Sequence, residues 1–227
     1  ENFSQKEGHH PVLFMFGIQE DVRSNFSGRV FPPYFAPYLE FILAVPGVTA
    51  SDESKVINPN RPYMYLPLLY LDRWYPVWVG KQYFGYNKIK AKMLMTKNSY
   101  QVSTNKISDD RTPTILNATW MRKENLINSW KEKDNLIKIN SFLNQQVMSV
   151  KNKKVKCFPF SWGIDNANQI EAIDLSFDLG EIFDFKFRDN QYQIKYAPNN
   201  ITAFYYKKSW RNHLPIDCKE LAEKPSK

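Results

Sequence analysis

The stretch that decides how this chain is interpreted is YLDRWYPVWVGKQYFGYNKIKAKM, from Tyr70 to Met93. It continues the apolar run YMYLPLL and ends in closely spaced lysines. One explanation is that a strand leaves the core and that its next face is solvated. The other is chemical, because a lysine held at the edge of an apolar pocket loses its proton more easily and becomes a nucleophilic amine.

The end of this stretch has the period of a β-strand. Lys88, Lys90 and Lys92 alternate with apolar residues, as expected for a strand with one solvated and one buried face. If the alternation begins at Lys88, that lysine lies in solvent. A chemical role requires a bend near Asn87 that turns Lys88 inward, and the pattern leaves both interpretations open.

Size and composition predict one folded domain over residues 1–227. The chain has 227 residues, of which 43% are hydrophobic and 15% aromatic, and this is ample for a packed core. Its longest apolar run, Phe41 to Val48, is interrupted at Pro46 and is too short to cross a bilayer, so we expect no membrane span. Because the chain starts at Glu1, the compartment stays open: we favour the cytoplasm slightly over export.

The formal net charge of +8 raises nucleic acid as a partner. Apart from the lysines described above and KNKKVK, from Lys151 to Lys156, the cations are scattered among carboxylates. No nucleic-acid-binding motif accompanies them. We therefore expect no nucleic-acid partner.

Cysteine and histidine offer little chemistry. The two cysteines, Cys157 and Cys218, have neither metal nor redox spacing, and we expect two buried thiols rather than a disulfide. The three histidines include the adjacent pair His9 and His10, which cannot form a zinc motif of the i, i+4 type. Glycine-rich phosphate loops are absent as well, so we predict no metal and no cofactor. Lysine and carboxylate chemistry beside aromatic residues remains.

The pattern along the chain predicts an α+β fold dominated by antiparallel sheet. Continuous apolar runs in the first half are typical of strands covered on both faces, as in a barrel or sandwich. We assign strands there to Val12–Ile18, Tyr38–Val45, Tyr63–Leu71, Val77–Val79 and Lys88–Thr96.

The second half has clearer periodicity. Residues Glu171–Leu179 alternate between apolar and polar, which predicts a half-buried strand, and a hairpin follows over residues 183–196. A helix is predicted to begin at Asp134 as N-cap and to continue to Val150. The stretch Met121–Trp130 is a candidate for another helix.

Residues Tyr70–Lys90 resemble the central motif of the acetoacetate decarboxylases. That motif has Tyr-Leu-Asp, then Gly-Arg-Glu eight positions later, then Tyr-Pro-Lys-Lys. In this chain the pattern is kept without gaps at Tyr70, Leu71, Asp72, Gly80, Tyr86 and Lys88. Upstream, YLEFILAV is similar to the family's strand that carries a buried glutamate, which places Glu40 there, and SDES makes Glu53 a second candidate.

The resemblance implies an acetoacetate decarboxylase-like barrel and a Schiff-base lyase for a small 2-oxo or 3-oxo acid, without metal or cofactor. Lys88 takes the place of the lysine that forms the imine. Glu40 and Glu53 are then the candidates for moving protons. The candidates for binding the substrate are Arg23, Arg29, Lys81 and Tyr86. The family also implies a homo-oligomer.

The sequence departs from the family motif at several positions. Ile89 replaces the second lysine, Asn87 replaces the proline, and Lys81 and Gln82 replace Arg-Glu. An alternative is therefore a barrel without catalytic activity that binds a small hydrophobic or acidic ligand. Glu40, in an apolar strand, is as consistent with a structural hydrogen-bond partner as with a general acid or base.

Overall fold

The computed structural model of the chain describes residues 10–20, 37–48, 62–104, 114–122, 130–151, 154–158, 170–180, 184–187, 190–193, 203–206 and 216–217. Most of these residues lie in β-strands. Across them, no helix has both the length and the apolar character that a membrane span requires.

The strands and helices follow one another in this order. Strands are β1 Leu13–Gln19, β2 Tyr38–Val48, β3 Tyr63–Leu71, β4 Lys88–Met95, β5 Ser99–Thr104, β6 Thr114–Arg122, β7 Gln146–Lys151, β8 Lys154–Cys157, β9 Ile170–Leu179, β10 Asp184–Phe187, β11 Asn190–Gln193, β12 Phe204–Tyr206 and β13 Ile216–Asp217. Helix α1, Trp74–Val79, runs directly into a π-helical turn, Gly80–Phe84, and helix α2 is Trp130–Leu143. The predicted α+β class, dominated by antiparallel sheet, is confirmed.

The large sheet forks at β3. On one edge β3 pairs with β2. On the other edge its first residues, Tyr63–Tyr65, pair with β7, and its last residues, Leu69–Leu71, pair with β4. Pro67 lies between the two pairings and has no N–H to donate, so it suits the gap in the ladder. The two branches continue as β4-β5-β6-β9-β12 and β7-β8-β13, and the sheet curls into a half-barrel.

Strands β2 and β3 are covered on both faces, as their continuous apolar runs predict. One face packs into a first core cluster, whose buried members include Tyr38, Ile42, Ala44, Met64, Leu66, Leu69, Leu71, Tyr86, Leu143, Val147 and Phe158. The other face packs into a second core cluster, which includes Phe41, Leu43, Leu68, Tyr70, Ala91, Tyr100, Val102 and Trp120. Because side chains alternate along β2, Glu40 points toward the first cluster together with Tyr38 and Ile42.

The alternation predicted for the second half is confirmed. In β9, Ile173, Leu175, Phe177 and Leu179 are half-buried, whereas Asp174, Ser176 and Asp178 between them are exposed. Strands β10 and β11 pair antiparallel, with Phe187 opposite Asn190, at the position of the predicted hairpin.

Two further secondary-structure predictions differ from the structure where it describes them. Val77–Val79 lies in α1 and not in a strand. The prediction failed because an apolar run this short has no periodicity that distinguishes a helix from a strand. Pro76 is compatible with this helix since it stands in the first turn. In the candidate helix Met121–Trp130, Met121 and Arg122 instead continue strand β6, Trp130 begins α2, and residues 123–129 lie outside the described part of the chain.

The helix predicted from Asp134 to Val150 is shorter and shifted. Helix α2 already contains Asp134, whose carboxylate pairs with Lys138 at 2.7 Å, and it ends at Leu143. Val147 and Val150 belong to β7, where Val147 lies opposite Met64. β-Branched residues favour strands, and Val147 finds a partner in β3 and Val150 finds Val155 in β8, which the helical spacing does not reveal.

The prediction of two buried thiols is wrong. Cys157 is buried and forms a disulfide. It lies in β8 opposite Ile216 of β13, two residues before Cys218, the only other cysteine in the sequence. Sheet pairing brings together segments far apart in the chain, and cysteine spacing carries no sign of that.

Candidate active site

Glu40 occupies the middle strand of three. On β2 it lies opposite Gly17 of β1 and Leu71 of β3, so both of its neighbours are backbone-paired strands. Only 5% of its surface is exposed. A buried carboxylate is costly unless it has partners, and the partners of Glu40 define the site.

Lys88 enters the same region because the chain turns just before it. Gly85 has a φ of 68° and ends the π-helical turn, and the N–H of Lys88 then donates to the Tyr86 carbonyl at 2.9 Å. The side-chain amide of Asn87 donates to the Pro67 carbonyl at 2.9 Å and ties this turn to β3. The bend that an inward lysine requires is therefore present at Asn87.

Lys88 and Glu40 form a buried ion pair. The distance from Lys88 Nζ to Glu40 Oε1 is 3.2 Å, and the side chains are only 10% and 6% exposed, respectively. Lys90 and Lys92, which share a strand face with Lys88, are exposed. The solvated-face interpretation is thus correct for those two lysines and wrong for Lys88, since α1 and the π-helical turn cover the beginning of β4.

The other groups around Glu40 fix its carboxylate and its backbone. Gln19 Nε2 donates to Glu40 Oε2 at 3.3 Å, so each carboxylate oxygen has a donor. The Tyr100 hydroxyl donates to the Glu40 backbone carbonyl at 3.0 Å. Burial, followed by the charges of Glu40 and Asp72, raises the pKa of Tyr100, so its hydroxyl stays protonated and continues to donate.

Tyr86 contributes an unsatisfied hydroxyl. Its ring stacks on Phe158 at 4.9 Å and on Phe84 at 5.9 Å, and Lys88 Nζ lies 5.7 Å from its centroid. The residue is 6% exposed, and its hydroxyl has no hydrogen-bond partner within the described part of the chain. Burial, with Glu40 as the second cause, raises the Tyr86 pKa well above its usual value. The site therefore includes a buried, protonated tyrosine whose ring lies beside the Lys88 ammonium.

Asp72 fixes the beginning of the helical segment that connects β3 to Lys88. Its Oδ1 accepts from the N–H of Leu39 at 2.9 Å, and its own N–H donates to the Leu39 carbonyl at 3.3 Å. Leu39 immediately precedes Glu40. This pair of bonds fixes the start of α1 relative to the strand that carries the glutamate.

The remaining candidates from the sequence divide into two groups. Lys81 lies in the π-helical turn and its side chain is exposed. Glu53, Arg23 and Arg29 lie outside the described residues, so their assignment stays a prediction.

Sequence reasoning missed Gln19 and Tyr100 as partners of Glu40. No local pattern marks them, because the pairing of β1 with β2 brings Gln19 close and packing in the second core cluster brings Tyr100 close. Within the described part of the chain, no group of His, Cys, Asp and Glu side chains could hold a metal ion.

We expect the buried tyrosines to lose their protons at a higher pH than exposed tyrosines do. Burial is the main cause that raises the pKa of Tyr38, Tyr86 and Tyr100, and Glu40 adds to it. Because the folded pKa exceeds the unfolded one, their stabilisation is complete below about pH 10 and is lost as the pH rises through the folded values. In a 295 nm titration, we expect fewer than the 13 tyrosines to ionise before the protein unfolds. Ionisation of all of them in the native protein near the ordinary value would contradict this burial.

Comparisons with known proteins give structural matches only. No protein-family model and no curated protein matches the sequence. Acetoacetate decarboxylase from Legionella pneumophila is similar in structure, with a TM-score of 0.43, 14% identity, and coverage of 74% of this chain and 59% of that one. The enduracididine biosynthesis enzyme MppR, solved with HEPES buffer bound, has a TM-score of 0.38, 11% identity, and coverage of 66% and 55%.

A second MppR structure, in complex with pyruvate, has a TM-score of 0.37 and 11% identity and covers 66% and 57%. The chain therefore spans less than two thirds of the length of these proteins. One of these structures is an acetoacetate decarboxylase, the family that the sequence resembles, and the likeness is one of fold at low identity.

Proposed function

We propose that the protein is a Schiff-base carbon–carbon lyase for a small 2-oxo or 3-oxo acid, with Lys88 as the nucleophile. The observation that supports this most is the buried contact of 3.2 Å between Lys88 Nζ and Glu40 Oε1. The position of Lys88 in the motif Tyr70–Lys90 points to the same residue.

Stability alone is a poor explanation for this ion pair. Removing two charges from water costs several kcal/mol per ion in real proteins, and well-packed apolar residues of similar size often stabilise a core as well or better. The neighbours of Lys88 and Glu40 include the aromatic ring of Tyr86, so apolar replacements have suitable surroundings. Ionisable groups kept at such a position are candidates for chemistry.

The distance supports a proton transfer that starts the reaction. The Lys88 ammonium passes a proton to Glu40 Oε1, and the neutral amine attacks the carbonyl carbon of the substrate. Loss of water from the resulting carbinolamine leaves a protonated imine. Glu40 gives the proton it has taken up to the hydroxyl that leaves as water, so the protonated imine forms beside the Glu40 carboxylate.

The bond-breaking step then follows from the imine. In a 3-oxo acid, the electron pair of the bond to the carboxylate carbon moves toward the iminium, which releases carbon dioxide and leaves an enamine. Glu40 takes up a proton from solvent and passes it to the enamine carbon, and water then hydrolyses the resulting protonated imine and restores the Lys88 ammonium. In a 2-oxo acid, the imine instead loses a proton from C3 to the Glu40 carboxylate and gives an enamine that keeps its carboxylate and supports aldol-type chemistry.

Tyr86 suits the substrate's oxygen atoms. Its hydroxyl is buried, and burial keeps it protonated, so it can donate to a carbonyl or carboxylate oxygen. A buried donor without a hydrogen-bond partner lowers the stability of the folded protein. A bound ligand that accepts a hydrogen bond from this donor restores the lost stability. This assigns Tyr86 to substrate binding rather than to proton transfer.

The proposal is tested by trapping the imine. The protein is incubated with pyruvate, 2-oxobutyrate or acetoacetate, reduced with borohydride, and measured by intact-mass spectrometry. We expect a gain equal to one reduced adduct per chain with at least one of these acids. Binding of such an acid without any mass gain would instead favour the barrel that binds a ligand without catalysis.

Acetoacetate itself is expected to be a poor substrate. Ile89 replaces the second lysine of the family motif and packs toward the second core cluster, and Gln82 replaces the motif's glutamate and is exposed. The chain therefore lacks two charged groups of the motif that resembles it. Release of carbon dioxide should stay well below about one per second, the lower end of typical enzyme turnover. A faster rate would show that those two positions matter little.

A further inference from the structure

The backbone conformation at Gly80 does not require a glycine. It begins the π-helical turn with φ −59° and ψ −40°, in the right-handed helical region that every L-amino acid adopts. Gly85, five residues later, differs because its φ of 68° favours glycine. In a helical conformation glycine is less favourable than alanine, so the local backbone gives no reason for Gly80.

The reason lies in the side chain of Lys88. A Cβ added at Gly80 would stand 2.3 Å from Lys88 Cδ, 2.7 Å from Cε and 3.1 Å from Cγ. All three nearest atoms belong to this one side chain. The carbonyl of Gly80 also accepts the N–H of Tyr86 at 3.1 Å, which holds the turn against the residues that lead to Lys88.

We infer that Gly80 is a positioning residue, and that its missing side chain is the space in which the aliphatic part of Lys88 reaches Glu40. The inference rests on the proposed function for its catalytic meaning. With the π-helical turn lying against Cδ and Cε, the ammonium has the direction that gives the contact of 3.2 Å with Glu40 Oε1. A methyl group at position 80 takes that space, so Lys88 or the turn has to move.

The first test measures exposure of the amine without using activity. Native protein is treated with a limiting amount of acetic anhydride, and acetylation of each lysine is followed by mass spectrometry. In the wild type we expect Lys88 to be protected relative to the exposed Lys90 and Lys92. In Gly80→Ala we expect Lys88 to lose most of that protection.

Gly17→Ala is the matched control. It is the same chemical change in strand β1, where an added Cβ has no atom within 4 Å. It should leave the protection of Lys88 unchanged. Equal protection of Lys88 in the wild type, Gly80→Ala and Gly17→Ala would overturn the inference.

A second test covers the case in which Gly80→Ala folds poorly. If the added methyl group clashes only with Lys88, Gly80→Ala should lower the melting temperature in the wild-type background and should not lower it in Lys88→Ala. In the Lys88→Ala background the substitution is expected to raise the melting temperature slightly, because alanine is more favourable than glycine in a helix. An equal loss of melting temperature in both backgrounds would show that Gly80 has a structural role unrelated to Lys88.

The contribution of Gly80 to catalysis is measured in a separate experiment. If the wild type forms an imine with a keto acid, its trapping rate should fall in Gly80→Ala and stay unchanged in Gly17→Ala. Full trapping in Gly80→Ala would contradict the positioning role. If the wild type forms no imine, the proposed function fails, and the acetylation and melting experiments still decide the inference about Gly80.

Discussion

Glu40→Ala is expected to lower the free energy of unfolding by about 3–5 kcal/mol, the usual cost of removing one partner of a buried ion pair. The cost arises because Lys88, only 8% exposed, is left with its charge inside the core and without Glu40. Gln19 loses its acceptor on Glu40 as well. Urea denaturation of both proteins at neutral pH measures the difference.

Two further variants make this result specific. Glu20→Ala removes an exposed carboxylate from the same part of the chain and should change stability by no more than about 0.5 kcal/mol. The double variant Glu40→Leu with Lys88→Met replaces both charges with apolar groups and should recover most of the loss. If Glu40→Ala is no more destabilising than Glu20→Ala, the ion pair is not buried as described.

Lys88→Ala should abolish fast reductive trapping by a keto acid, whereas Lys90→Ala should leave it nearly intact. An ordinary exposed lysine is unprotonated in only about one molecule in a few thousand at pH 7, so the remaining lysines react slowly. Lys90 is a close control because it is two residues away on the same strand and is exposed. The rate of mass gain in each variant gives the comparison.

An equal and slow reaction in both variants would remove the catalytic role of Lys88. The lysines that follow Gly80 would then be a solvated face with one structural ion pair. Binding of a small ligand would become the better account of the barrel.

The strands of this fold follow from the sequence because their signal is local. The sequence predicts the bounds of β3 without error, since a run of nine uncharged, mostly apolar residues is closely flanked by Arg61 and Asp72, and it predicts β9 from its alternation. The end of α2 was missed because Val147 and Val150 continue a helical spacing although they pair in β7. The strands that pair with Val147 and Val150 are distant in the sequence or follow β7, and their positions depend on the arrangement of the whole sheet.

The site could be predicted only in part for the same reason. Alternation leaves open whether Lys88 lies on the exposed face of β4, and the resemblance to a known motif is what favours a buried Lys88. The structure buries it because α1 and the π-helical turn cover the first residues of that strand, and periodicity within one strand cannot show what another element covers. The resemblance of YLEFILAV to the family's strand predicts Glu40, whereas Gln19 reaches it through strand pairing and Tyr100 through packing in the second core cluster.

The central claim, that Lys88 forms the imine, is tested most directly by mapping the adduct in the wild-type protein. After borohydride reduction with the keto acid that gives the largest mass gain, the protein is digested and the modified residue is identified by tandem mass spectrometry. We predict that the adduct is on Lys88, at close to one per chain, while Lys81, Lys90 and Lys92 stay unmodified. An adduct spread over the exposed lysines, with Lys88 unmodified, would contradict the account.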